Sequence, residues 1–310
     1  MREALAVVLE RPGELRLRPL ELMPMGPSDL TVDIWWSGIS TGTERLLWSG
    51  TMPPFPGLGY PLVPGYESVG RVVDAGPEAR GFLGRLVFVP GAACWRDARG
   101  LFGGTAAQVV VPAARVVPLP DGMDERAVLL SLAATALHAL GAGEPPSLIV
   151  GHGALGRLIA RLCRLRGAQP VVWEANPARR SGALDYPVID PAEDDSRRHR
   201  RIVDASGAAG LLDTLIARLE RGGEIVLAGF YDRLSFAFPP AFLAEARLRV
   251  AAEFTPAELG TVAAMAGSGR LSLDGLVTHR ADPAEADRAY RTAFEDPGCI
   301  KMVLDWREVH

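Results

Sequence analysis

The feature that most limits the fold is Leu148-Ile-Val-Gly151-His-Gly153-Ala-Leu155-Gly156, a Gly-x-Gly-x-x-Gly that follows a short apolar run and opens a helical one. Leu155, Leu158, Ile159, Leu162 and Leu165 fall on one helical face, and the next apolar run, Val171-Val-Trp173, ends at Glu174, 23 residues after Gly151. Strand, glycine turn, packed helix and a second strand ending in an acid make up the βαβ unit that binds a dinucleotide. Gly151 permits the tight turn, Gly153 lets backbone approach a pyrophosphate, and Gly156 lets helix and strand pack closely. Leu155 starts the helix whose amino end supplies N–H donors. Glu174 is expected to accept hydrogen bonds from the adenosine ribose and to repel a 2′-phosphate, which favours NAD. Arg179 and Arg180, just past the acid, keep a phosphate-binding alternative open. His152 is expected either to pack the loop or to face solvent.

Charge narrows the partners. With 33 basic and 37 acidic side chains the formal net charge is −4. Nucleic acid is therefore not expected as a partner, because phosphate neutralisation needs clustered cations. Lys301 is the only lysine, so no P-loop or Schiff-base lysine exists elsewhere. Cys94, Cys163 and Cys299 are widely spaced with no Cys-x-x-Cys, which fits a reducing compartment and neither a disulfide scaffold nor a structural zinc lobe. The uncharged, Ala/Leu-rich stretch 127–143 contains Ser131, Thr135 and His138 and is expected to be a buried helix, and no integral membrane segment is expected. The opening Met1–Glu10 is too briefly apolar for a signal peptide, so a mature, cytoplasmic chain is expected.

Texture divides the chain. The first part is rich in Gly, Pro, Val and Trp, with short β-type runs at Leu5–Leu9, Leu30–Trp35, Val69–Val73 and Gln108–Val111, and reads as an antiparallel β domain. Beyond it, Ala/Leu-rich helical periodicity alternates with glycine-bounded apolar runs, the pattern of a parallel sheet. Strands are expected at Leu148–Val150, Val171–Trp173, Ile202–Asp204, Glu224–Ala228 and Leu248–Ala252. The Arg-rich passage Asp190–Arg201 reads as either a shortened crossover or a loop. A helix through Met265, a strand at Gly275–Thr278, a helix at Pro283–Phe294 and a strand at Lys301–Leu304 close the chain. The expected division is a β domain of 1–122 with 268–310 around a dinucleotide domain of 123–267.

Several runs resemble the medium-chain dehydrogenase/reductase family over essentially the whole length. They are Ser37-Gly-Ile-Ser40-Thr-Gly-Thr-Glu44, Val63-Pro-Gly-Tyr66-Glu67-Ser-Val-Gly70-Arg-Val-Val73, Val203–Gly207, Gly222–Gly229, Thr278-His279-Arg280 and Lys301–Leu304. The resemblance implies an α/β chain: a GroES-like β-rich catalytic domain plus a Rossmann domain with a doubly wound parallel sheet. It also implies departures from the family's zinc chemistry. Ser40 stands where the zinc enzymes have their first ligand, a cysteine, and Tyr66 where they have a histidine. The third ligand should fall near Ser131 or Leu132, neither of which carries a thiol, imidazole or carboxylate. Glu67 alone remains, and one carboxylate with two hydroxyls suits zinc poorly. No metal is expected. In its place Tyr66 is expected to hydrogen-bond the substrate oxygen and Glu67 to orient it or take the proton, with Ser40, Thr41 and Thr43 adding hydrogen bonds. The bland alternatives are that Tyr66 fills the vacated volume and that Glu67 is a buried structural acceptor. The resemblance further places Thr135 beside the nicotinamide and Gly229 on the cofactor. His138 and His279 are expected to be structural.

The runs 36–50, 52–57, 61–70, 229–231 and 234–240 are similar to a zinc-less branch of this family. That branch uses NAD to oxidise the C3 1-hydroxyethyl group of a (bacterio)chlorophyllide to acetyl. A flat tetrapyrrole substrate asks for a wide aromatic cleft. Trp36, Trp48, Phe55, Tyr60, Phe230 and Tyr231 are the expected lining, with Phe236, Phe238 and Phe242 also available; each alone also reads as core. The competing readings are a zinc-less reductase of an activated alkene or quinone, and a non-catalytic NAD-binding sensor. Family habit suggests a homodimer.

Overall fold

The computed structural model describes residues 2–194 and 198–309. Its chain forms two compact units, Met1–Ser131 with Leu273–His310, and Leu132–Ser272. The first begins with β1 (Glu3–Arg11), β2 (Glu14–Glu21), β3 (Asp29–Ile39), α1 (Thr43–Ser49), β4 (Ser68–Ala75), β5 (Leu86–Val89), β6 (Gln108–Pro112) and β7 (Val117–Pro118). Then come α2 (Leu130–Leu140), β8 (Leu148–Val150), α3 (Ala154–Leu165), β9 (Val171–Trp173), β10 (Val188–Ile189), β11 (His199–Asp204), α4 (Leu212–Ala217), β12 (Leu219–Leu227), α5 (Phe238–Ala244), β13 (Arg247–Val250) and α6 (Pro256–Gly267). The chain returns to the first unit with β14 (His279–Ala281), α7 (Ala286–Glu295) and β15 (Met302–Asp305).

In the first unit β1 and β2 form a hairpin, and a larger sheet runs β14-β15-β3-β4-β5-β7, with β6 also pairing β3. The long β3 organises it. Met302 faces Ile39 on one side and Ser68 faces Ser37 on the other. This register brings three sequence-distant landmarks to one end of β3. Alternating apolar positions such as Leu30, Val32 and Ile34 are fully buried and join Val7, Leu9, Leu62 and Trp306 in one core. A 3-10 turn at Glu125–Leu129 packs Ala127, Val128 and Leu129 inward, within the compact unit that runs on to Ser131.

The second unit is a six-stranded sheet in the order β10-β9-β8-β11-β12-β13, parallel throughout. Counted from β8 this is 3-2-1-4-5-6, the doubly wound order whose switch point lies between β8 and β11. The three residues of β8 are fully or almost fully buried, as a central parallel strand requires. On α3, Leu158, Ile159 and Leu162 face inward as the periodicity indicates, but Leu165 is exposed and Arg157 and Arg161 are buried. Between β10 and β11 the described residues hold only a 3-10 turn, Pro191–Glu193; residues 195–197 of the passage at 190–201 lie outside the described residues. The strand expected at Gly275–Thr278 is displaced to His279–Ala281, because Gly275 takes a left-handed turn. Among the described residues no helix is long and apolar enough to cross a membrane.

Gly70 shows how tightly β3 and β4 approach, since a Cβ there would lie 2.1 Å from the Asp33 carbonyl oxygen. Gly70→Ala is expected to destabilise the fold by about 1–3 kcal/mol, the usual cost of overpacking, read as a lower urea midpoint.

Candidate functional site

Ser40 follows β3 directly, and Tyr66 and Glu67 precede β4. Strand pairing carries them together: Gly38 N–H donates to the Glu67 carbonyl at 2.8 Å, and Ser40 Oγ and Tyr66 Oη share a hydrogen bond at 2.5 Å. Tyr66 Oη is also placed to donate to Thr43 Oγ1 at 3.4 Å; with its proton there, Ser40 donates in the shorter bond. The hydroxyls run from buried Ser40 through half-buried Tyr66 and Thr43 towards exposed Thr41. Burial, and then the nearby Glu67 charge, push the Tyr66 phenol well above its ordinary value. It is thus a neutral hydrogen-bonding group across the physiological range, not a phenolate base. Phe102 meets its ring edge-on at 4.9 Å, and Phe55 lies 6.5 Å from Phe102.

Behind the hydroxyls lies a charged pair with almost no exposure. Lys301 Nζ donates to Glu67 Oε2 at 2.7 Å and to the Ile39 carbonyl at 3.2 Å. Burial raises the Glu67 carboxyl, against the pull of Lys301. The pair also explains Gly38, where a Cβ would come within 2.5 Å of Glu67 Oε2. Glu44, fully buried on α1, accepts the Tyr290 hydroxyl at 2.6 Å and the Ser40 N–H at 3.2 Å. Burial pushes its carboxyl up to about 7.

The donor set does not fit zinc. Ser40 and Tyr66 are bonded to each other, and the Ser131 hydroxyl donates to the Tyr66 carbonyl at 3.0 Å. Neutral hydroxyls with these partners are poor ligands for a borderline-soft cation. Among the described residues no three His, Cys, Asp or Glu side chains gather as a metal would need.

In the second unit the glycine turn has the geometry its spacing indicates. Gly151 has φ +96°, and a Cβ on Gly156 would sit 1.8 Å from the Gly151 carbonyl oxygen. Glu174 closes the turn: its carboxylate accepts the His152 N–H at 2.9 Å and the Asn176 N–H at 2.8 Å. His152 is buried rather than solvent-facing, bonded to the Arg179 carbonyl at 2.6 Å and to Tyr186 Oη at 3.0 Å. Burial lowers its imidazole to about 4, so it is neutral packing. The buried Arg157 donates to the carbonyls of His152, Arg179, Ser181 and Gly182. Arg180 is committed to the Glu174 and Ala175 carbonyls and to Asp190. Gly229 and Gly207 pack so closely that a Cβ on Gly229 would lie 2.7 Å from Gly207 N and 2.8 Å from Tyr231 Oη. Thr135 is half-buried on α2.

The other expected residues separate. Trp36 is 6% exposed, edge-on to Trp35 and under Arg307. Trp48 packs between Phe294 and Arg291, and Tyr60 Oη donates to the Leu47 carbonyl at 2.5 Å. These three serve packing in the first unit. Tyr231 stands beside Gly229, at the dinucleotide end of the second, after which come exposed Phe236, Phe238 and Phe242 with Leu243. Phe230 is also exposed. His138 pairs with Glu258, and His279 with Asp296 and Thr278. Phe102, Tyr290 and the role of Lys301 were not visible in the sequence; only the singularity of that lysine hinted at the last.

Residues 26–121 match the alcohol dehydrogenase GroES-like domain family. Over 99% of its length, and 99% of the relative's, the chain is 55% identical to 2-desacetyl-2-hydroxyethyl bacteriochlorophyllide A dehydrogenase of Rhodobacter capsulatus. The chain is a medium-chain dehydrogenase/reductase. This dehydrogenase is also 52% identical to the Cereibacter sphaeroides protein of the same name, over 97% of the chain and 98% of the relative. Its fold is shared with L-idonate 5-dehydrogenase of Escherichia coli, at 19% identity, a TM-score of 0.85 and 98% coverage of both chains. An Escherichia coli alcohol dehydrogenase solved with NADH matches at 19% identity and a TM-score of 0.84, covering 98% of this chain and 99% of that one.

Removing one charge of a buried pair leaves the other stranded. Lys301→Met is expected to cost about 3–5 kcal/mol in urea unfolding. Adding Glu67→Gln to Lys301→Met should recover part of that loss, and a strictly additive double mutant would show that the two charges are not coupled.

Proposed function

We propose that this dehydrogenase oxidises the C3 1-hydroxyethyl group of a (bacterio)chlorophyllide to acetyl, with NAD and without zinc. The observation that carries the reading is the match in identity and length to relatives named for a hydroxyethyl bacteriochlorophyllide. The hydroxyl cluster at Ser40, Thr43 and Tyr66 supports the chemistry. NAD, when bound, supplies the hydride acceptor. The chain's own task is then to hold the carbinol and receive its proton.

With Tyr66 Oη donating to Thr43 and accepting from Ser40, one lone pair is left to accept from the substrate hydroxyl. As the carbinol C–H leaves with its electron pair, the O–H proton passes to Tyr66, and the phenol's own proton moves to Thr43 and on to water. No phenolate is needed, which agrees with the upward push on Tyr66. Phe102 and Phe55 offer an aromatic wall leading to that hydroxyl for the macrocycle to lie against. On the cofactor side, Glu174 at the end of β9 is read as the ribose acceptor. Arg180, held by two carbonyls and Asp190, is read as unsuited to a 2′-phosphate.

Purified, metal-analysed protein given 3-hydroxyethyl chlorophyllide and NAD is expected to shift the pigment's red absorption band with stoichiometric NADH, and to do little with NADP. Absence of any shift, or activity on small enones instead, would overturn the reading. Tyr66→Phe keeps the ring on Phe102 and removes the hydroxyl, so kcat is expected to fall about 10²–10⁴-fold. Full turnover in that variant would take Tyr66 out of the mechanism.

A further inference from the structure

Glu44 is a buried acid that the mechanism above does not use. It lies on α1, four residues after Ser40, with no exposed surface. Two bonds join it reciprocally to Ser40: its N–H donates to the Ser40 carbonyl at 3.1 Å, and the Ser40 N–H donates to Oε1 at 3.2 Å. From α7, Tyr290 donates to Oε2 at 2.6 Å. The neighbouring charges are Glu67, before β4, and Lys301, before β15, and Lys301 is already bonded to Glu67. Tyr66 feels the Glu44 charge as well. A carboxylate kept in such a place costs stability, and accepting the Ser40 N–H does not require the charge, since a glutamine carbonyl accepts it too.

We propose that Glu44 is a positioning residue for the oxidation, whose negative charge sets the proton affinity of the Ser40–Tyr66 hydroxyl pair. The geometry gives it two effects. Its bonds fix the Ser40 backbone, so that the Ser40 hydroxyl donates to Tyr66 and leaves the other Tyr66 lone pair for the carbinol. Its charge, at the rear of the pair, raises the pull of those oxygens on a proton and so favours removal of the proton that the alcohol must lose. When Glu44 is itself protonated, one oxygen becomes a donor, the charge is lost and the pair relaxes. The inference rests on the alcohol-oxidation reading, and deepens it by naming the group that governs its pH response.

The wild-type rate is expected to fall as pH drops through about 7, where Glu44 takes a proton. Glu44→Gln keeps the shape and an acceptor for the Ser40 N–H but mimics the protonated acid. Its kcat is expected to be about ten- to 100-fold lower and flat across that pH range, with KM for both substrates little changed. Stability should move the other way. A carboxyl whose folded value lies above its unfolded one loses stability as pH rises between the two. The melting temperature of Glu44→Gln relative to wild type should therefore rise from about pH 5 to pH 8. Tyr290→Phe keeps the charge but removes a bond to the ionised form, so it should move the acid limb to higher pH while keeping most of the plateau rate. Wild-type rate and acid limb persisting in Glu44→Gln would overturn the role of Glu44 alone, as would an unshifted limb in Tyr290→Phe. A wild type inactive on the alcohol would overturn both this role and the reading beneath it.

Discussion

The contact between Glu67 and Lys301 is the constraint around which the first unit is arranged. Two ions with almost no exposure face each other across β3, and neither is tolerable alone in that interior. The geometry demands a bare backbone at Gly38, a lysine next to β15 and an acid next to β4, all set by pairing to one long strand. Ser40 and Tyr66 lie at the same end of that strand, so the hydroxyl cluster inherits its placement from the ion pair. On the proposed reading, this placement gives the carbinol proton an ordered acceptor in a fixed chain of hydroxyls.

The second unit holds its turn by different means. There a single buried guanidinium, Arg157, binds four carbonyls, while Glu174 gathers the N–H groups of His152 and Asn176. Neutral His152 fills the space between. The loop after β9 is thus satisfied by side chains where no strand partner exists, as buried backbone groups require. One consequence is that Glu174 and Arg180 are coupled parts, because Arg180 bonds the very residue whose carboxylate closes the turn.

Much of this was legible in the sequence where a local period or a fixed spacing encodes it. The β8 run, the glycine turn, the inward Leu158, Ile159 and Leu162 and the acid at 174 are all local patterns, and the long runs around Ser40 and Tyr66 carried the family. What was not legible depends on groups far apart in the chain or on polar burial. The burial of Arg157 and Arg161 has no local signal, because arginine on an amphipathic helix usually faces solvent. Gly275 looks like the start of a strand until its left-handed turn displaces pairing to His279. The two residues of β10 are too few to show a period. The expected aromatic lining divided because composition counts aromatic residues without locating them: Trp36, Trp48 and Tyr60 pack into the first unit, while Phe102, which does touch Tyr66, sits in no pattern at all.

The first unit is written in two pieces, separated by the whole of the second. During synthesis β3 and β4 emerge early, but Lys301 follows more than two hundred residues later. Until then Glu67 has no cation, and the side of β3 that will receive β15 is an open edge. The second unit, by contrast, is complete before the chain returns. A nascent chain therefore acquires its glycine turn first, and the hydroxyls of Ser40 and Tyr66 reach their final order only when the last strand docks.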